Sequence, residues 1–302
     1  MNIKGIPKEL LHPRHWSSWL ILGVLSTSSF LPHRVIIRLG KVAGSLAFRL
    51  IKRRRHICET NIRLCFPELS DDEQKKLVYR TMVDQGIGLL ETISGWFKNP
   101  TDLQHLVSVV GLEYIEQEQS NGRGVLLVGS HFTTLDFAGV LFTNFSQMDV
   151  LYRKNNNAVL DFFLTQGRSR YGEPIEKKEF KKLIRRLRDG YVVWYAPDQD
   201  YGTKNAVFAP FFGLSAATVT GTSTIAKITG AKVLMIHHYR ENEGRHYRIE
   251  ILPVNDFPSG NDIADATKIN ALIEEGIRSA PEQYMWVHRR FKNRPPGEAK
   301  IY

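Results

Sequence analysis

The chain has 302 residues, 42% of them hydrophobic and 24% charged, which is the composition of a folded protein with one large core or two smaller ones. Its formal net charge of +10 calls for an anionic partner: nucleic acid, an anionic membrane surface, a phosphorylated substrate or an acidic protein. The two cysteines, Cys58 and Cys65, exclude a disulfide framework, fit a reducing compartment and are expected to pack in the interior.

In chain order, Lys4, Lys8 and Arg14 precede an uncharged stretch, 16–32, that opens with Trp16 and Trp19. It is at the short limit for a spanning helix and rich in serine, so it reads as a segment that enters or lies on a membrane, with the tryptophans at the interface. No small-x-small cleavage site follows it, which argues against a signal peptide. Apolar residues then recur at helical spacing over 33–55 and end in Lys52, Arg53, Arg54 and Arg55, a basic run suited to anionic headgroups. Pro67 breaks the pattern, and Ser70 with Glu73 forms a capping box that opens a helix to about Phe97.

From there strands and helices alternate. The expected strands are 107–110, 125–128, 150–153, 191–196, 233–239 and 247–252. The expected helices are 112–119, 135–145, 158–168, 177–188, 218–229 and 263–278. This alternation predicts an α/β fold with a mainly parallel central sheet flanked by helices. The N-terminal helical extension, 1–55, is read as membrane-associated and 56–302 as the catalytic domain.

Three strand ends carry polar residues, as a site at the carboxyl edge of a parallel sheet requires. The first is 124–136, where the run Val125 to Val128 is flanked by glycines and ends at Gly129-Ser130-His131, with Asp136 five residues on. On one continuous helix His131 and Asp136 would point about 140° apart. A histidine at the strand-to-helix corner escapes that limit and can turn back to the carboxylate, as a general base and its orienter do. The second is Arg153, with Asn156 beside it, where Arg153 can hold a phosphate or carboxylate through two bonds. The third is the loop carrying Asp198 and Asp200. No spaced His or Cys accompanies these carboxylates, so no metal site is expected. The strand pair His237-His238 points to opposite faces and is expected to be structural.

Lys181, Arg185 and Arg186 belong to a strongly basic helix that suits an acidic protein or lipid phosphate. No nucleic-acid motif, phosphate-binding glycine loop or serine-nucleophile elbow occurs. The segment 281–295 mixes aromatics with cations and reads as an amphipathic surface stretch.

Several of these segments together resemble the late acyltransferases of lipid A biosynthesis in Gram-negative bacteria, most of all the lauroyl-type enzymes. The resemblance spans nearly the whole chain. It is carried by His12-Pro-Arg-His-Trp16, Asn61-Ile-Arg-Leu-Cys-Phe-Pro, Leu127-Val-Gly-Ser-His131, Trp194-Tyr-Ala-Pro-Asp-Gln-Asp200 and Pro281-Glu-Gln-Tyr-Met-Trp-Val-His288. It implies an inner-membrane enzyme facing the cytoplasm that moves a fatty acyl chain, lauroyl by this likeness, from acyl carrier protein to a hydroxyl of Kdo2-lipid IVA, with no cofactor. In that chemistry His131 takes the hydroxyl proton and Asp136 holds its tautomer. Backbone N–H groups at the helix start after His131 receive the oxyanion. Arg153 and Asn156 bind substrate, Asp198 and Asp200 shape the site, and Arg53, Arg54, Lys181, Arg185 and Arg186 meet anionic lipid and the carrier protein. The alternatives are a myristoyl- or palmitoleoyl-type relative, an acyl-CoA-dependent glycerophospholipid acyltransferase, and a non-catalytic basic membrane-binding protein.

Overall fold

A computed structural model describes residues 5–302; Lys4 lies outside the described residues. Five helices come first: α1 (Trp16–Ser26), α2 (His33–Leu50), α3 (Lys52–Cys65), α4 (Asp71–Phe97) and the short α5 (Pro100–Leu103). Strands and helices then alternate as β1 (Val107–Val110), α6 (Leu112–Ser120), β2 (Val125–Val128), α7 (Leu135–Phe142), β3 (Asp149–Tyr152), α8 (Ala158–Arg168), β4 (Pro174–Glu176), α9 (Phe180–Arg188) and β5 (Val192–Tyr195). A hairpin, β6 (Ala206–Phe211) and β7 (Leu214–Val219), interrupts the alternation before α10 (Gly221–Thr229), β8 (Lys232–Glu241), β9 (His246–Pro253) and α11 (Asp262–Ser279).

Seven strands form one sheet in the order β1-β9-β8-β2-β5-β3-β4, with every neighbouring pair parallel except β8 and β9. β2 is central and all four of its side chains are buried, which is why its sequence is a continuous apolar run rather than an alternating one. Alternate residues feed two cores. Leu126 and Val128 pack under α10 and α11, whereas Val125 and Leu127 pack under α7 and the N-terminal helices.

The capping box of α4 forms as expected, with Glu73 accepting from the Ser70 backbone and hydroxyl. The helical stretch expected over 33–55 is instead two helices. The chain turns at Ile51 (φ −95°, ψ 62°), because the basic run continues as α3 in a new direction. α2 lies against α4 at glycines: a Cβ on Gly86 would stand 2.3 Å from the Gly44 nitrogen and 2.5 Å from the Gly40 carbonyl oxygen. That contact leaves Leu39, Val42, Leu46 and Leu50 exposed on the far side of α2, and Trp16, Leu20, Ile21, Val24 and Phe30 exposed in and just after α1.

No helix of the described residues is long and apolar enough to cross a membrane. The 11 residues of α1 span only about 16 Å against the roughly 30 Å of a bilayer's hydrocarbon core. The uncharged stretch splits because Pro32, the N-cap of α2, ends it, and because Trp19 and Leu22 pack onto the body of the protein, Trp19 against Phe162 and Phe163. The hairpin β6–β7 and strand β4 were not expected. β7 takes 214–219 and so delays the helix expected from 218.

Candidate active site

β2 and β5 are parallel neighbours in register, Val128 beside Tyr195, so their carboxyl ends deliver Ser130-His131 and Ala196-Pro197-Asp198 to one place. Asp198 is fully buried there and takes two bonds from His131: the backbone N–H donates to Oδ2 at 2.8 Å, and Nδ1 meets Oδ1 at 2.6 Å. Burial pushes the Asp198 carboxyl up, but the imidazole and its two hydrogen bonds outweigh burial and hold it below the usual carboxylate range. A carboxylate only accepts, so Nδ1 carries the proton and Nε2 is left as the basic nitrogen.

The expected contact between His131 and Asp136 does not form. Asp136 stands in the first turn of α7 and faces α8, where Arg168 donates to both of its oxygens at 2.8 and 3.1 Å and Tyr171 Oη donates at 2.9 Å. These three donors outweigh burial and lower the Asp136 pKa, with a smaller contribution from the His131 charge. The reason is directional. The His131 ring is drawn toward β5 by a carboxylate that also binds its own backbone nitrogen, whereas α7 turns Asp136 away toward α8.

The His131 ring, one-fifth exposed, opens onto a cavity of about 790 Å³. Part of its wall is apolar, with Leu151, Leu164, Leu183, Trp194 and Ile225; Arg153, Arg168, Lys177, Gln199 and Tyr201 bring polarity. Large concave spaces with a few convergent polar groups are where proteins bind small amphiphiles. Arg153 lines this cavity; Asn156 is exposed and lies outside it. Three of the backbone N–H groups after His131 are already engaged: Phe132 donates to Ser130, Thr133 to Gln283 and Leu135 to Phe132, at 2.9, 2.8 and 3.1 Å. They are therefore not free oxyanion donors. Arg168 is the fixed cation nearest in role, held on the cavity wall by Asp136.

Asp200 is held by the C-terminal segment. It accepts from the Asn293 backbone at 2.7 Å, from Asn293 Nδ2 at 2.5 Å and from the Gly202 N–H at 2.9 Å, while its own N–H donates to His288 Nε2 at 3.3 Å. This clasp corrects the reading of the C-terminal segment as a surface stretch. Tyr284 bridges to Phe132 in antiparallel fashion, the Met285 N–H donates to the His131 carbonyl at 2.9 Å, and Tyr284 Oη donates to the Asp198 carbonyl at 3.4 Å. Asn61 Nδ2 donates to the carbonyls of Trp286 and His288 at 2.6 and 2.7 Å. The unusual mixture of Gln, Tyr, Met, Trp and His at 283–288 was the available signal, but amphipathic counting cannot tell a wall of a site from a surface.

Beneath the His131 loop, Arg240 is buried between Glu91 and Asp84, and Asp84 also accepts from the Thr133 hydroxyl. A Cβ on Gly88 would stand 2.5 Å from the Thr133 carbonyl oxygen, so α4 supports the loop directly. His237 and His238 are buried, with Thr134 Oγ1 2.8 Å from His238 Nδ1, as structural residues would be. Cys58 and Cys65 are buried free thiols, each pushed far up by burial. Of the basic helix, Lys181 and Arg185 are exposed, but Arg186 is turned inward: it donates to Asp149 at 2.6 and 3.1 Å and stacks over Tyr191. Arg53 and Arg54 are exposed, and Arg54 donates to the Val287 carbonyl at 3.1 Å.

A family profile described as bacterial lipid A biosynthesis acyltransferase matches residues 3–293. The chain belongs to this family. It is therefore an acyltransferase of lipid A biosynthesis. It is 41% identical to the lipid A biosynthesis lauroyltransferase of Escherichia coli, over all of this chain and 99% of that protein. It is 37% identical to the palmitoleoyltransferase of the same organism over 98% of this chain and 97% of that protein, and 28% identical to the myristoyltransferase over 100% and 95%. An α/β domain with a mostly parallel sheet flanked by helices is the fold that carries this activity here.

Proposed function

We propose that this acyltransferase moves a lauroyl chain from acyl carrier protein to a hydroxyl of a hydroxyacyl chain on Kdo2-lipid IVA, at the cytoplasmic face of the inner membrane. The observation that carries the reading is His131, bound through Nδ1 to buried Asp198 and opening onto a large, apolar-walled cavity. His131 Nε2 takes the proton of the acceptor hydroxyl as its oxygen attacks the thioester carbonyl; Asp198 keeps Nδ1 protonated and stabilises the imidazolium that forms. Collapse of the tetrahedral intermediate expels the thiolate, which takes the same proton back from Nε2. No acyl-enzyme is required.

Arg168 supplies the positive charge for the oxyanion, and Asp136 holds that guanidinium in place through two bonds. In this assignment Asp136 acts on the reaction through Arg168 and not through His131. Acyl length follows from the depth of the apolar part of the cavity, since each buried CH2 contributes about 0.8 kcal/mol. The choice of lauroyl rests on the likeness to the lauroyltransferase.

The test is transfer to Kdo2-lipid IVA by the purified protein, using acyl carrier proteins that bear decanoyl to palmitoyl chains, with His131→Ala alongside. Wild-type transfer with a maximum at lauroyl, and none by the variant, is the expected outcome. A maximum at myristoyl or palmitoleoyl would move the assignment to that branch, and full activity of His131→Ala would remove the base.

A further inference from the structure

The catalytic cavity does not end at its own mouth. Arg153, Lys177, Gln199 and Tyr201 also line a neighbouring depression of about 580 Å³, whose remaining wall includes Lys154, Lys178 and Lys292. Asp200, His288 and Lys292 are shared in turn with a third hollow of about 290 Å³, closed by Arg53, Arg54 and Arg289. Eight cations thus line one continuous trough leading away from His131.

The two carboxylates present do not neutralise the trough. Glu176 is paired with Lys178 at 2.8 Å, and Asp200 is occupied by Asn293 and Gly202. Among the described residues Arg53, Lys154, Arg153, Lys177, Arg289 and Lys292 have no carboxylate partner. A solvated helix face would put such charges on one element. Here they come from the start of α3, the loop after β3, the end of β4 and the C-terminal segment, and the Asp200–Asn293 clasp holds the last of these in place. Like charges gathered from distant parts of the chain repel one another unless an anion lies between them.

We propose that this trough binds the headgroup of the acceptor, an amphiphile carrying several phosphate or carboxylate groups, and so directs the hydroxyl of its acyl chain to His131. The proposal rests on the acceptor chemistry given under Proposed function. Two observations favour a lipid headgroup over the acidic carrier protein. The trough consists of concave hollows that fit phosphorylated sugar units, not a long open face. Its far end, Arg53 and Arg54, follows immediately on Leu46, Leu50 and Ile51, exposed apolar residues of the kind that sit at a bilayer surface. An anionic headgroup level with that surface meets the cations while its chains reach the apolar cavity.

The experiment compares Arg289→Gln/Lys292→Gln and Arg53→Gln/Arg54→Gln with wild type. It reads KM for Kdo2-lipid IVA, KM for lauroyl carrier protein, kcat, and the titration of the deacylated bis-phosphorylated disaccharide headgroup by calorimetry. Each double variant raises acceptor KM by about tenfold or more, since each removes charge-assisted contacts. It leaves carrier-protein KM and kcat within about twofold and weakens headgroup binding in step. The increase shrinks with an acceptor from which the phosphates have been removed. Unchanged acceptor KM with unchanged headgroup binding overturns the proposal, and so does a rise confined to carrier-protein KM, which would give the trough to the protein donor. If wild type transfers nothing yet binds the headgroup and the variants do not, the trough stands and the acceptor chemistry falls. All four positions are exposed or at the surface, so the variants fold, and their thermal midpoints verify this.

Discussion

Replacing Asp198 by asparagine tests which carboxylate governs His131. In the native site Asp198 Oδ2 accepts from the His131 backbone N–H at 2.8 Å and Oδ1 meets Nδ1 at 2.6 Å. An asparagine has one accepting and one donating end, and the backbone N–H demands the accepting one. The amide NH2 is then left facing Nδ1, which must give up its proton and become the acceptor. The imidazole switches to the tautomer protonated at Nε2, the nitrogen that faces the cavity, and can no longer receive the proton of a hydroxyl. An asparagine in place of the aspartate of a catalytic triad, which imposes the same wrong tautomer, costs about 10⁴ in kcat, equivalent to about 5 kcal/mol of barrier. We expect a fall of about 10³ to 10⁴ in the single-turnover rate of acyl transfer, with acceptor KM little changed. Asp136→Asn leaves the His131 tautomer intact and lowers the rate through Arg168 instead. A rate for Asp198→Asn within threefold of wild type, together with a thousandfold loss for Asp136→Asn, would refute this assignment and return the orienting role to Asp136.

Removing the Asp136 charge leaves Arg168 largely buried without its carboxylate, so Asp136→Asn is also expected to destabilise the fold by about 3 kcal/mol, read as a drop in the urea midpoint; Arg168→Met/Asp136→Leu should recover most of that loss without recovering activity. Burial holds the folded-state pKa of His237 at about 4 and that of His238 at about 3, against 6.5 for an ordinary histidine. The unfolded chain therefore binds more protons below about pH 6.5, so stability is complete above that value and falls as pH drops toward 4, by about 3 kcal/mol per histidine; denaturant midpoints at successive pH values measure the slope, which His237→Leu should reduce. Gly86→Ala drives a methyl group into the α2 backbone at Gly40 and Gly44 and should cost about 2 kcal/mol or more, seen as a lowered thermal midpoint, whereas the same change at the open Gly23 should cost less than 1 kcal/mol. Leu46→Ser/Leu50→Ser removes two exposed apolar side chains from α2 and should weaken co-sedimentation with anionic vesicles by at least roughly tenfold while leaving thermal stability unchanged.

Much of the scaffold was legible in the chain because its signals are local. Apolar runs bounded by glycine marked β1, β2 and β5, the Ser70–Glu73 box marked the start of α4, and the place of His131 at a strand end followed from the Gly129-Ser130 turn. The strand β4 was missed because three residues are too few for a pattern. The hairpin β6–β7 was missed because its residues face partly solvent and partly α11, without a clean alternation.

The sequence by itself determined that an α/β sheet would carry a histidine, an arginine and two aspartates at its carboxyl edge, and its motifs determined the family. Which carboxylate serves the histidine was decided by the tertiary structure alone. Asp136 is five residues from His131 and faces away from it, while Asp198 is 67 residues off and binds it twice. The order of strands in a parallel sheet is not written in their periodicity, and only the pairing of β2 with β5 brings those loops together. The same holds for the C-terminal segment, whose place against His131 depends on Asp200 and Asn61 finding it across the fold. Hydrogen bonds between groups far apart in the chain leave no spacing to read, and their geometry exists only once the sheet has formed.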